Sequence, residues 1–177
     1  MRNLFLAFTA LFSFTGCSRH YAPLETVDKV DLERYSGTWF EIARYEHSFE
    51  KGCSRVSATY TLKDDGTVKV LNRCTTEAKK EKEAIGVAYA TDASNSRLKV
   101  SFFRPFYGDY WIIMLDKAYR YAVIGDPSRE YLWILSRTPE LAEETTRNIL
   151  QKLPALGYDP GKLHWTQQGS NSVIESP

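Results

Sequence analysis

The sequence predicts an all-β fold of eight antiparallel strands, an up-and-down barrel or a sandwich, followed by one α-helix. Three observations carry this. Apolar and polar residues alternate with a period of two along a succession of short segments. Turn signals, with no helical pattern, separate those segments. Aromatic residues make up 14% of the chain, eleven Tyr and four Trp among them, which suits rings packed on a pleated surface. At 177 residues the chain is one domain with room for a core, and 43% apolar against 25% charged residues is a globular balance. The formal charge is +1, with no basic run and no arginine-rich face, so nothing points to a nucleic-acid partner.

The elements follow in order. Met1-Arg2-Asn3 supplies one positive charge, and Leu4 to Phe14 is almost wholly apolar but too short to span a bilayer as a helix. This is signal-peptide anatomy, and it is expected to cover residues 1–16. Thr15-Gly16-Cys17 resembles the lipobox of bacterial lipoproteins, with Phe14 where that pattern usually has Leu, Val or Ile. The resemblance implies cleavage before Cys17, a diacylglycerol on its sulfur and an acyl chain, such as palmitate, on its new amine. Ser18 in place of an aspartate implies delivery to the outer membrane. Residues 17–30 then read as a lipidated tether, residues 31–168 as the folded domain and 169–177 as a tail.

The first strand opens at Gly37-Thr38-Trp39, where a glycine permits a sharp turn into the strand. The second and third strands form a hairpin about Asp64-Asp65-Gly66: Val56, Ala58, Tyr60 and Leu62 alternate with polar residues before it, and Val68 and Val70 after it. Folding there brings Cys53 nearly opposite Cys74, within adjustment range of a disulfide. Export from the cytosol favours that bond over two free thiols. A metal site is disfavoured because no histidine stands at ligand spacing. Ala84 to Thr91, Arg97 to Phe103, Tyr110 to Leu115, Arg120 to Ile124 and Tyr131 to Arg137 complete the eight strands. A helix over 139–153 follows, with Thr138 as N-cap, Pro139 in its first turn and Leu141, Thr145, Ile149 and Leu153 on one face. It should cover Leu132 and Ile134 from outside. Leu163-His164-Trp165 reads as a short ninth strand.

In a closed meander, strands one and eight become neighbours. Trp39 and Arg137 then lie at the same end, where a guanidinium can stack on the indole. The cysteines and the aromatic link Phe103-Arg104-Pro105-Phe106-Tyr107-Gly108 lie at the other end.

Gly37-Thr38-Trp39, Tyr121-Ala122-Val123-Ile124-Gly125-Asp126 and Ile134-Leu135-Ser136-Arg137 match, in order, three signature regions of the lipocalins. The second lacks the usual Thr-Asp before its Tyr. Longer stretches, Gly37 to Arg44, Lys99 to Gly108 and Tyr131 to Pro139, look like the outer-membrane lipocalins of bacteria. The resemblance runs from Asp31 to about Gln168. It implies an eight-stranded antiparallel up-and-down β-barrel, a Trp–Arg pair at the closed end and a cavity open at the other for a fatty acid or lysophospholipid.

Parity and that resemblance place Val56, Ala58, Tyr60, Val70, Ala88, Leu98, Val100, Tyr110, Ile112 and Met114 on the inner wall. Apolar lining pairs with an acyl chain, at ~0.8 kcal/mol per buried CH2. The alternatives are a filled barrel with a structural or inhibitory role, and a lipocalin-fold enzyme. Against the enzyme, His20, His47 and His164 share no motif, Glu41 is a lone carboxylate, and no catalytic signature occurs. No catalytic residue, metal or cofactor is therefore expected. The mouth aromatics Phe103, Phe106 and Tyr107 suggest an interaction surface, for a bilayer or for a homodimer. The expected location is the outer membrane, lipid-anchored and facing the periplasm.

Overall fold

The computed structural model describes residues 22–169, so the signal peptide, Cys17 and residues 170–177 lie outside the described residues. Eight strands close into an antiparallel barrel: β1 (Gly37–Tyr45), β2 (Cys53–Leu62), β3 (Val68–Thr76), β4 (Glu81–Ala90), β5 (Arg97–Phe103), β6 (Phe106–Leu115), β7 (Tyr121–Gly125) and β8 (Leu132–Ser136). Each pairs with the next in sequence, and β1 pairs with both β8 and β2. Closure removes the free edges an open sheet would expose. A ninth strand, β9 (Leu163–Trp165), pairs with the upper half of β1.

The period-two pattern buries two cores. The inner one draws on Trp39, Tyr60, Val70, Ala88, Leu98, Ile112, Ile124 and Leu135, all from strands around the ring. The outer one sets Ile42, Ile113, Val123, Leu132 and Ile134 against Ile149 and Leu153. Those last two come from α2 (Glu143–Lys152) and the 3-10 turn that continues it. The amphipathic helix thus covers the apolar outer faces of β7 and β8, as their sequence requires.

A four-residue helix, α1 (Leu32–Tyr35), closes the base. Asp31 caps it by accepting from the backbone amides of Glu33 and Arg34. Before it, the N-terminal arm descends the outside. Ala22 is held at the β7–β8 turn by Arg129, Leu24 sits in the outer core, and the Val27 amide donates to the Ile112 carbonyl at 3.0 Å.

Four expectations need correction. Met114 packs in the outer core, because a bulge between Ile112 and Met114 flips the alternation of β6. The predicted helix over 139–153 starts later, at Glu143, with Ala142 as its N-cap. Thr138 instead donates to the Glu140 carbonyl at 2.6 Å and forms a separate turn. Cys53 stands opposite Thr76, because the register set at the Asp-Gly turn would pair it with Glu77 and a bulge between Ser54 and Ser57 moves it only one residue nearer to Cys74. The aromatic link is a hairpin: β5 runs through Phe103 and β6 begins at Phe106.

Candidate functional site

The base of the barrel is built on Arg137. Its guanidinium lies 3.8 Å from the Trp39 ring centre. It also donates to the carbonyls of Arg34, Tyr35, Ser36 and Thr38, with Nη2 or Nη1 at 2.8–3.1 Å. One cation thereby ties α1 to β1 and caps a fully buried indole. The indole in turn donates to the Tyr35 carbonyl at 2.8 Å. Burial pulls the Arg137 guanidinium down from its ordinary range, opposed by the nearby Tyr35 and Tyr60.

Above this base lies a slot lined by Leu32, Tyr60, Val70, Ala88, Leu98 and Val100, with Tyr35, Ser36, Val68 and Tyr110 completing it. Of the expected lining residues, Tyr60, Val70, Ala88, Leu98, Val100 and Tyr110 face it. Ala58 and Ile112 pack in the same inner core without lining the slot. Val56 is buried against the Cys53–Cys74 disulfide, whose sulfurs are 2.06 Å apart.

The free volume is about 20 Å3, room for about one water molecule. The expected underfilled lumen is therefore narrow. Three tyrosines account for much of this. The Tyr110 hydroxyl bridges those of Tyr35, at 2.7 Å, and Tyr60, at 2.8 Å. Burial raises all three phenols above their ordinary range, so they stay protonated. Tyr35 belongs to α1, a helix too short to leave a periodic signal in the sequence.

The upper lumen is polar. A bulge between Glu41 and Ala43 sends Ala43 and Tyr45 to the outer core beside Ile42 and turns Arg44 inward, next to Glu41. Arg44 Nη1 lies 2.6 Å from Glu41 Oε1, and both side chains are buried. The Thr166 hydroxyl donates to the same carboxylate and accepts from Arg44. From the β1–β2 loop, Glu50 contributes its carbonyl to Arg44 Nη2 at 2.9 Å and its carboxylate to Trp133 Nε1 at 3.2 Å. Glu50 is pushed up to about 7, first by burial and then by Glu41, against the pull of Trp133, Arg44 and Lys82. His47 stacks among Phe49, Tyr131 and Trp133, where burial lowers it. Glu41, a lone carboxylate in the sequence, is hydrogen-bonded here to Arg44 and Thr166, and neither those partners nor the nearby Glu50 is legible in its surroundings along the chain. A bulge leaves no periodic trace.

At the rim, Phe103 and Phe106 stack with centroids 6.2 Å apart and are 74% and 69% exposed. Tyr107 meets Tyr89 edge-on at 5.6 Å.

Residues 30–168 match the sequence model of the lipocalin-like domain. The chain is 44% identical to the outer membrane lipoprotein Blc of Citrobacter freundii over 166 residues, 92% of this chain and 94% of that one. It is 41% identical to the Blc of Vibrio cholerae, over 95% of this chain and 99% of that one. Mouse apolipoprotein D is 30% identical, over 81% of this chain and 79% of its own. Insecticyanin from the tobacco hornworm shares the fold at a TM-score of 0.69 and 20% identity, covering 85% of this chain and 87% of its own. With that barrel, that base and those relatives, this chain belongs to the lipocalin family.

Proposed function

We propose that this lipocalin binds one acyl lipid, a fatty acid or a lysophospholipid, while anchored through Cys17 to the outer membrane and facing the periplasm, and stores or ferries it there. It does so without chemistry. The observation that carries this reading is the composition of the slot, with aliphatic walls from Val68, Val70, Ala88, Leu98 and Val100; a buried Arg44 lies nearer the mouth. Each methylene drawn into such a lining contributes ~0.8 kcal/mol. Among the described residues the Arg44 Nε has no hydrogen-bond acceptor, and it lies 3.7 Å from Glu50 Oε2, so a lipid carboxylate or phosphate finds a donor there. The relatives named outer membrane lipoproteins support the anchor and its membrane.

The slot must widen to take a chain. The Tyr35–Tyr110–Tyr60 trio is the group to part, since two hydrogen bonds join it. The small volume also favours a second reading, a permanently filled barrel with a structural role at the membrane. The two are separated by titrating the protein with a fluorescent fatty acid and by extracting lipid from protein purified from its own membrane. Carrier function predicts one lipid per barrel and loss of about tenfold in affinity on Ala88→Phe, the equivalent of about two displaced methylenes. The fold should persist by circular dichroism. No recovered lipid and no saturable dye binding would leave the filled barrel standing.

A further inference from the structure

We infer that the barrel stands with its mouth against the bilayer and that the β5–β6 hairpin tip inserts into that lipid surface. The inference rests on the lipidation of Cys17 proposed above.

The first support is an asymmetry. Of the nine exposed large apolar side chains among the described residues, six (Phe49, Phe102, Phe103, Phe106, Tyr107 and Tyr131) stand on loops or strand ends at the mouth. Ile85 and Trp165 lie along the outer wall, and Tyr89, near the base end of β4, turns its ring against Tyr107. Arg104, in the turn between Phe103 and Phe106, adds a cation at the tip. Aromatic rings flanking an arginine suit the boundary between acyl chains and head groups, where the ring sits in the apolar layer and the cation reaches phosphate.

The second support is where the tether leaves the barrel. Arg129 Nη2 donates to the Ala22 carbonyl at 2.6 Å. Arg129 lies in the β7–β8 turn, and β7 neighbours β6, so the chain departs on the rim beside the aromatic hairpin. From Ala22 to Cys17 there are five residues, ~18 Å at full stretch. From mouth to base, β6 spans ten residues, ~25 Å along the axis at usual barrel tilt. The tether is too short to set the base on the membrane that holds its lipid. It is long enough to set the mouth there, which is where the exposed rings are.

The test uses the full lipidated protein in vesicles of phosphatidylethanolamine and phosphatidylglycerol. An environment-sensitive fluorophore is attached through Phe103→Cys, or through Asp64→Cys in the exposed turn at the base, and quenched with nitroxide-bearing lipid. Insertion to usual interfacial depth predicts at least about twofold quenching at the hairpin and essentially none at the base. Absence of lipid quenching at the hairpin, or equal quenching at both positions, overturns the orientation. A hairpin probe shielded from aqueous iodide yet untouched by lipid nitroxide also overturns it, and shows a second copy of the chain covering the tip. The intact mass, taken before vesicles are added, separates the two readings. Acyl groups absent from Cys17 remove the anchor and the orientation argument together. Acyl groups present with no quenching remove the orientation alone.

Discussion

Glu50 brings a carboxylate into the mouth beside Glu41, with Arg44 and, more weakly, Lys82 as the cations acting on it and the Trp133 indole as its donor. Its native form keeps its proton up to about pH 7, whereas an unfolded Glu releases it near ~4.3. Between those values the folded chain binds the extra proton, so stability falls as pH rises through that window. Glu50→Gln keeps an acceptor for Trp133 and removes the titration. The variant should gain on the wild type when denaturant melts are compared above the window, and gain little below it. An unchanged difference at both pH values would show that Glu50 does not carry this dependence. Nothing in the sequence around Glu50 announces any of this, because its partners Glu41 and Trp133 come from strands that meet only when the barrel closes.

The β2–β3 hairpin shows what periodicity does and does not encode. Its Asp-Gly turn and its alternation are plain in the residues, and Lys63 and Thr67 close the turn at 2.8 Å. The bulge near Arg55 is not plain, and it brings Cys53 one position closer to Cys74, leaving a link diagonal to the ladder. The bond still closes a loop with a sequence separation of 21, worth ~3 kcal/mol in lost freedom of the unfolded chain. Replacing both cysteines with Ala should lower urea stability by about that amount, with amide exchange rising first at the mouth ends of β2 and β3. Uniform loss of protection would argue that the bond acts on the whole barrel. The same limit explains the other misplaced pieces. Met114 and Arg44 changed faces through bulges in β6 and β1. The outer helix began four residues late because Thr138, a good capping residue by type, spent its hydroxyl on Glu140.

At the scale of the whole molecule, the meander and its two layers were legible. Eight alternating segments with short turns admit few closures, and a single amphipathic helix has one apolar face to cover. The size of the lumen was not legible, since it depends on α1 and on three tyrosines from separate elements. A second feature was also hidden. Beyond Phe40 and Ser57 the first two strands diverge, and the chain after β9 fills the gap. Thr166 donates its amide to the Ile42 carbonyl, Arg55 donates to the Gln167 carbonyl, and the Gln168 side-chain amide reaches the carbonyls of Glu41 and Val56. These bonds make the last described residues a stave of the wall. Ending the chain after Trp165 should cost a few kcal/mol, at ~0.5–1.5 kcal/mol per bond. It should also speed release of any bound lipid, read in stopped-flow displacement. An unaltered off-rate would show the stave to be decorative. An affinity handle fused close behind Gln168 would therefore pry at the side of the vessel, and a cargo could leak sideways through the seam without ever passing the rim.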